Sequence, residues 1–134
     1  RDCVALTEIE VPDSTTSFGA YAFYGCTGIK NAYLSNNINE WITDWGNSEG
    51  FGGCTNLEYI YFGDGLTSIG EGMLANCTSL KGIYIPQSVT AIGENMLKNC
   101  STDCLVYGQK GSYAETFASA MGLVFSEKEF PLVY

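Results

Sequence analysis

The chain has 134 residues, 46% of them apolar, and its 15 acidic and 6 basic side chains give a net charge of −9. This length suits one domain with a hydrophobic core, so the composition excludes an intrinsically disordered chain. The acidic balance argues against nucleic acid and anionic membrane surfaces as partners, and no apolar run approaches the length of a membrane span.

Cysteines mark an internal repeat. Five of the six lie at positions 3, 26, 54, 77 and 100, with separations of 23, 28, 23 and 23 residues. The units "CTNLEYIYFGDGLTSIGEGMLAN" (54–76) and "CTSLKGIYIPQSVTAIGENMLKN" (77–99) align throughout, and the unit from Cys26 carries five extra residues between Ile42 and Phe51. A repeat of this length predicts a solenoid, because one coil cannot bury its apolar face alone and stacked coils can.

Each unit predicts one coil of that solenoid. The L-x-x-I-x-[IF] pattern predicts a short strand, the residues after it turn the chain back, and stretches such as "EGMLANC" predict a helical or 3₁₀ turn. The strands should lie side by side in a parallel sheet. The predicted inward rows are Leu6, Ile29, Leu57 and Leu80; Ile9, Ala32, Ile60, Ile83 and Val106; Val11, Leu34, Phe62 and Ile85; Phe18, Trp41, Ile69 and Ile92; Phe23, Phe51, Leu74 and Leu97.

The repeat decays after Cys100, where Asp103 stands at a Leu position and Gly108 at an Ile position. At the other end, the first unit begins in mid-pattern at Cys3, and the chain lacks an initiator Met and a signal-peptide pattern. We therefore expect the array to close after Cys100, and further coils or another domain to precede residue 1 in the intact protein.

A terminal cap is predicted after the last coil. Ser112 and Glu115 have the spacing of a capping box, which predicts a helix over 113–121 that stops at Gly122. Residues 123–125 can form a last strand. The helical side chains expected to cover the open end of the array are Phe117, Ala118 and Met121.

The repeat spacing predicts a column of buried thiols. Neighbouring coils lie about 4.8 Å apart, whereas a disulfide brings Cβ atoms to about 3.8 Å and turns them toward each other. Cys100 and Cys104 are the one pair that could bond, because Cys104 lies outside the column. With no His and no CxxC pair in the chain, the sequence predicts no metal site and no cofactor.

A row of solvent-facing tyrosines is predicted on the sheet face opposite the core. The seventh position after the repeat cysteine holds Tyr33, Tyr61, Tyr84 and Tyr107 in four consecutive coils, and Tyr59 lies two residues earlier on the same face. Tyrosine is a residue type that dominates binding hot spots, and the sheet surface of solenoids binds ligands. Stacked tyrosines can equally stabilise a parallel sheet by cross-strand contact. Both interpretations stay open.

The insertion "TDWGNSEGFGG" (43–53) is the second candidate site. Trp41 aligns with core positions, whereas Trp45 lies within the extra residues, and inserted loops often carry function. The alternative is a local bulge with Trp45 folded against the convex side. The spacing of Asp44 and Glu49 does not indicate a metal site.

The repeat "CTSLKGIYIPQSVTAIGENMLKNC" (77–100) resembles that of the BspA-like leucine-rich repeat proteins of cell surfaces, and the ending "VYGQKGSYAETFASAMGLVF" (106–125) resembles their C-terminal closure. The resemblance implies an α/β, right-handed leucine-rich-repeat solenoid of about five coils of 23 residues, with a parallel sheet on one face and a helix–strand cap. It implies a single domain over 1–134, with the cap at 108–125 and a tail at 126–134.

The resemblance also implies a secreted or surface-attached protein without catalytic residues, in a family that includes adhesins for host matrix proteins or other cells. The sequence itself contains no His base, no G-x-S-x-G, no P-loop and no Rossmann fingerprint. We therefore predict a monomeric, non-catalytic, adhesin-like binding module that recognises a protein or glycan through its sheet face. The alternative is a spacer or assembly repeat that displays another domain.

Overall fold

The computed structural model describes residues 8–10, 17–18, 25–34, 40–41, 51–69, 72–93 and 95–128. No helix within these residues has the length and apolar character needed to span a lipid bilayer. The elements in chain order are β1 (Glu8–Glu10), β2 (Ser17–Phe18), β3 (Asn31–Tyr33), β4 (Glu40–Trp41), β5 (Tyr59–Tyr61), β6 (Ser68–Ile69), β7 (Gly82–Tyr84), β8 (Ala91–Ile92), β9 (Leu105–Tyr107), α1 (Tyr113–Met121) and β10 (Val124–Ser126).

Every strand pair among the described residues is parallel. All of them join equivalent positions of neighbouring coils except β9–β10, in which the cap strand pairs with the last coil. The main sheet has the order β1-β3-β5-β7-β9-β10, and the return segments form two small sheets, β2-β4 and β6-β8. Ile60 pairs with Ile83, and Ile83 with Val106, at the 23-residue repeat. Ala32 pairs with Ile60 across the 28-residue unit, so the five extra residues leave the sheet register intact. The predicted solenoid with its parallel sheet and helix–strand end is confirmed.

The core forms from the predicted inward rows. Alternation along each short strand directs Ile60, Ile83 and Val106 inward, where all three are fully buried. The other predicted row members that are buried are Ile29, Leu57, Leu80, Ala32, Leu34, Phe62, Ile85, Ile69, Phe51, Leu74 and Leu97. Ile92 is only partly buried against this core. Leu6, Val11 and Phe23, with the side chains of Ile9, Phe18 and Trp41, lie outside the described part of the chain.

Two thiols of the cysteine column bond to backbone carbonyls 26 residues earlier in the chain. The Cys77 thiol donates to the Phe51 carbonyl at 3.1 Å, and the Cys100 thiol repeats this bond to the Leu74 carbonyl at 2.9 Å. Burial raises the pKa of the Cys77 thiol well above its ordinary value, with a further rise from the neighbouring Cys54, so the thiol keeps its donor proton. No disulfide joins any of the five described cysteines, so Cys100 and Cys104 are not bonded to each other in this structure.

A residue with left-handed backbone conformation precedes each of the four described cysteines of the column. Gly25, Gly53, Asn76 and Asn99 have φ of 70°, 72°, 63° and 62°. Glycine and asparagine tolerate this region better than other residues, which explains why these two residue types occupy the four positions. The two asparagines also join their coils, because the Asn99 side-chain amide donates to Asn76 Oδ1 at 2.8 Å.

Helix α1 begins and ends as predicted, but its first turn is capped differently. Gly122 ends it with φ 72°, a left-handed C-cap. The predicted capping box is wrong: Ser112 makes no side-chain cap bond and donates instead to the Gln109 carbonyl at 2.5 Å. Glu115 accepts from the Gly111 N–H at 2.9 Å, one residue earlier than a capping box requires. Both side chains thus bond to the backbone of the loop that precedes α1.

The helix covers the array through small residues. Ala114 and Ala118 are fully buried, and Phe117, Leu123 and Phe125 pack against the core while partly buried. The prediction for Met121 is wrong, because its side chain is 50% exposed. Met121 is the last residue of the helix. It borders a crevice of about 60 Å³ together with Leu97, Cys100 and Leu123.

Both departures from the repeat near the C-terminus have a structural cause. A Cβ on Gly108 would lie 2.9 Å from the Ala114 Cβ and 3.0 Å from the Ile85 carbonyl oxygen, so α1 occupies the space of the expected Ile. Asp103 is exposed and its N–H bonds to Ser101 Oγ at 3.1 Å. Cys104 is 1% exposed and replaces the expected Leu in the core one position later.

We expect Gly108→Ala to lower the free energy of unfolding by about 1–3 kcal/mol, the usual cost of overpacking a core contact. The added methyl meets Ala114 and the Ile85 carbonyl, so α1 must move away. Urea denaturation measures the change.

The partner variant Ala114→Gly removes one of the two clashing groups and supplies a double-mutant cycle. The double variant should lose less stability than the two single losses together. Full stability of Gly108→Ala, or strict additivity of the pair, would contradict the packing described.

Candidate functional site

The tyrosine row lies along the main sheet in strict register. Tyr33 pairs with Tyr61, Tyr61 with Tyr84, and Tyr84 with Tyr107, and Glu10 continues the row on β1. Each of the four tyrosines follows a buried side chain of its strand, so the tyrosine row occupies the opposite face of the sheet. The repeat spacing therefore brings together four of the six candidate residues.

The centre of the row is a stacked pair. The rings of Tyr61 and Tyr84 are nearly parallel, with 6° between their planes and 4.5 Å between their centroids. This distance is close to the spacing of about 4.8 Å between neighbouring strands, so the sheet itself sets the stack. Tyr33 lies 6.4 Å from Tyr61 with its ring tilted by 42°. Tyr61 and Tyr84 are both half-buried.

The ends of the row are buried, which corrects the prediction that all four tyrosines face solvent. Tyr33 and Tyr107 are each 7% exposed. Burial raises the pKa of Tyr33, and the nearby carboxylates of Glu8 and Glu10 raise it further. The solvent-facing part of the row is thus its centre.

Gly82 explains where the Tyr107 ring goes. A Cβ on Gly82 would lie 2.8 Å from Tyr59 Cδ1 and 3.0 Å from Tyr107 Cε2, so the two rings meet above this glycine. Gly82 lies between Tyr59 and Leu105 in the sheet, and it leaves a gap in that row of side chains. Tyr59 therefore packs against Tyr107, a contact that the sequence analysis missed. The signal was the glycine within "LKGIYIP".

Asp64 stands beside the stacked pair and bonds to it. The Tyr84 hydroxyl donates to Asp64 Oδ1 at 3.4 Å. Burial, the Asp64 carboxylate and the adjoining Tyr61 raise the pKa of Tyr84 to about 12. Burial and the same carboxylate also raise the pKa of Tyr61. Both phenols therefore stay protonated at neutral pH.

An open cleft of about 480 Å³ adjoins the pair. Its lining residues are Asp64, Tyr84, Gln87, Ser88 and Gln109. Apart from Tyr84 they follow the C-terminal ends of β5, β7 and β9, where the chain turns away from the sheet. Asp64 and Gln87 both lie ten residues after a repeat cysteine, in the segments predicted only to turn the chain back after the strand.

The other described charged residues add little chemistry to the site. Lys81 and Glu58 form an exposed salt bridge of 3.6 Å, a type that contributes little to stability. Within the residues that the structure describes, no group of three or more His, Cys, Asp or Glu side chains could hold a metal ion. Trp45 lies outside the described residues.

We expect the Tyr84 ring to titrate with a midpoint near 12, followed by its ring ¹³C chemical shift. The folded-state pKa is above the ordinary value of 10.0, so the stabilising contribution of Tyr84 is complete below that pH. It should be lost as the pH rises through about 12.

The variant Asp64→Asn should lower the Tyr84 midpoint but leave it above 10.0, because burial is the largest cause of the shift. Asp103→Asn, at an exposed position outside the site, is the control and should leave the midpoint unchanged. An unchanged midpoint in Asp64→Asn would show that the carboxylate does not act on Tyr84.

Comparison with known proteins identifies the family of this chain. The family model described as a BspA type leucine rich repeat region, in six copies, matches residues 1–118. Among solved structures, the chain is similar to a leucine rich cell surface protein from Faecalibacterium prausnitzii A2-165, with 23% identity and a TM-score of 0.45. That match covers 78% of this chain and 35% of the other, so the chain spans about a third of that protein's length. No curated protein matches the chain in sequence. The family match extends over all the repeat units and most of the cap helix, and the chain belongs to the BspA-type leucine-rich repeat family.

Proposed function

We propose that this chain is a non-catalytic binding module of an extracellular or cell-surface protein, and that it recognises a protein or glycan through its sheet face. The observation that carries the proposal is the stacked, half-buried pair Tyr61–Tyr84 beside an open polar cleft. Membership of a leucine-rich repeat family supports a binding role. The absence of His from the whole chain leaves it without the commonest general base.

The pair has the properties of a binding hot spot. Tyrosine combines a large apolar ring with a polar tip, and side chains held in one conformation lose little entropy when a ligand binds. Stacking on a strand-to-strand contact fixes Tyr61 and Tyr84 before any ligand arrives. Both phenols are protonated at neutral pH, and a phenol oxygen that donates its proton, as Tyr84 does to Asp64, can still accept a hydrogen bond.

A structural spacer with the row as a self-contact is the second candidate. The burial of Tyr33 and Tyr107 favours a structural role for the ends of the row. The half-buried centre favours ligand contact at Tyr61 and Tyr84. The two candidates differ in solution, because a self-contact predicts assembly that increases with concentration and a ligand-binding face predicts a monomer. Trp45 remains a second candidate contact for a ligand.

The test is the double variant Tyr61→Ser and Tyr84→Ser, measured against the ligand that a screen of matrix proteins, mucins and glycans identifies. We expect affinity to fall at least about tenfold, because one aromatic hot spot contributes about 2 kcal/mol or more. The fold should lose on the order of 1–2 kcal/mol from the lost stacking contact.

Tyr113→Ser is the matched control, because Tyr113 is the exposed tyrosine of α1 and lies outside the sheet face. It should leave affinity unchanged. An unfolded double variant would assign the pair to structure, and light scattering that shows concentration-dependent assembly of the unmodified chain would favour the spacer. Unchanged affinity with an intact fold would move the binding site away from the pair.

A further inference from the structure

The cleft beside the stacked pair is lined almost entirely by polar side chains. Its volume of about 480 Å³ suits a small ligand or one or two rings of a larger one. Pockets for drug-like molecules are mostly apolar, whereas four of these five lining residues carry polar side chains and the fifth is Tyr84. The composition therefore indicates a ligand with many hydroxyl groups.

The lining offers both donors and acceptors. The amides of Gln87 and Gln109 each donate and accept, and neither bonds to another side chain or backbone group among the described residues. The Asp64 carboxylate accepts. Ser88 donates to the Leu66 carbonyl at 2.5 Å and keeps its lone pairs for a second bond. These groups come from three successive coils, so their spacing is fixed by the sheet register.

The charge of the cleft selects against anions. None of the five lining residues is basic, one is acidic, and the whole chain carries −9. An anionic sugar or a phosphate would meet Asp64 without a compensating cation. A cationic group would gain charge attraction from Asp64 alone, whereas the two neutral amides would bond a neutral hydroxyl equally well.

We propose that this cleft binds a neutral saccharide, with Gln87, Gln109 and Asp64 bonding its hydroxyl groups and Tyr84 packing against the apolar face of a sugar ring. The inference rests on the proposed binding function and names its ligand class. A sugar hydroxyl donates and accepts at once, as do the glutamine amides, and aromatic rings favour the apolar face of a pyranose. The saccharide would extend from the cleft along the sheet toward Tyr61.

The two glutamines make a direct test, because they are the only glutamines in the chain. The side-chain NH₂ resonances of ¹⁵N-labelled 1–134 are followed during titration with mannotriose, chitotriose and lactose. A sulfated disaccharide and a lysine pentapeptide are the charged comparisons. We expect both glutamine resonances to shift and saturate with at least one neutral saccharide, while the Asn76 and Asn99 side-chain amides in the same spectrum stay in place.

Two variants measure the contribution of each amide. Gln87→Ala and Gln109→Ala are at exposed positions, so the fold should persist, and each should weaken saccharide binding about fivefold to tenfold, the effect of one hydrogen bond. Thr102→Ala, also exposed and outside the cleft, is the control and should bind like the unmodified chain.

Several outcomes would overturn the inference. One is the absence of any glutamine shift with the three neutral saccharides; another is a shift with the sulfated sugar or the lysine peptide alone. If the saccharides fail while the Tyr61 and Tyr84 double variant loses a protein ligand, the ligand class is wrong and the proposed function stands. If the screen finds neither a protein nor a glycan, both proposals fail.

Discussion

The structure depends on the backbone hydrogen bonds that join each coil to the next at equivalent positions. Leu34 N–H bonds to the Tyr61 carbonyl at 2.9 Å, Phe62 N–H to the Tyr84 carbonyl at 3.1 Å, and Ile85 N–H to the Tyr107 carbonyl at 3.0 Å. This repeated ladder fixes the register, and a slip of one residue would exchange the inward and outward side chains of every strand. The ladder thereby converts a sequence period into rows of side chains.

Each row then has its own physical role. Inward rows of aliphatic residues supply the core, and the cysteine column adds thiol-to-carbonyl bonds between coils, as between Cys77 and Phe51. Left-handed residues such as Asn76 turn the chain into the next coil. The outward row lies on the opposite face of the sheet, where it serves packing at Tyr107 and, we propose, ligand contact at Tyr61 and Tyr84. We infer function from this last row because it is the one that folding constrains least.

The 23-residue period correctly predicted the features that repeat from coil to coil. It did not predict contacts between residues that lie at different positions of the repeat. The core rows, the sheet order, the register of the tyrosines and the bounds of α1 all follow from the 23-residue spacing and from local capping residues. The exposure of Met121 and the burial of Tyr107 do not, because they depend on where the helix ends and on the gap above Gly82. The repeat spacing also did not predict that Cys104 would take the core position expected at residue 103. The exposed Asp103 instead donates its N–H to Ser101 Oγ.

The cleft shows the same limit for the candidate site. The spacing indicated which tyrosines align, but Gln109 lies in the cap segment, where the repeat has ended, and no period relates it to Asp64 and Gln87. Only the folded chain brings these three side chains to one opening. A sequence period can therefore locate a surface, whereas the side chains that line the cleft at its edge depend on the three-dimensional arrangement of turns.

The contact above Gly82 offers the most direct test, since it exists only if the coils are in this register and the outward tyrosines pack as described. In the NMR spectrum of 1–134, the Gly82 Hα protons should give cross-relaxation peaks to the rings of both Tyr59 and Tyr107, and ring currents should displace their chemical shifts. Ring protons of Tyr61 and Tyr84 should likewise give peaks to each other. Gly82 Hα protons at random-coil shifts, with no peaks to either ring, would contradict the register and the site built on it.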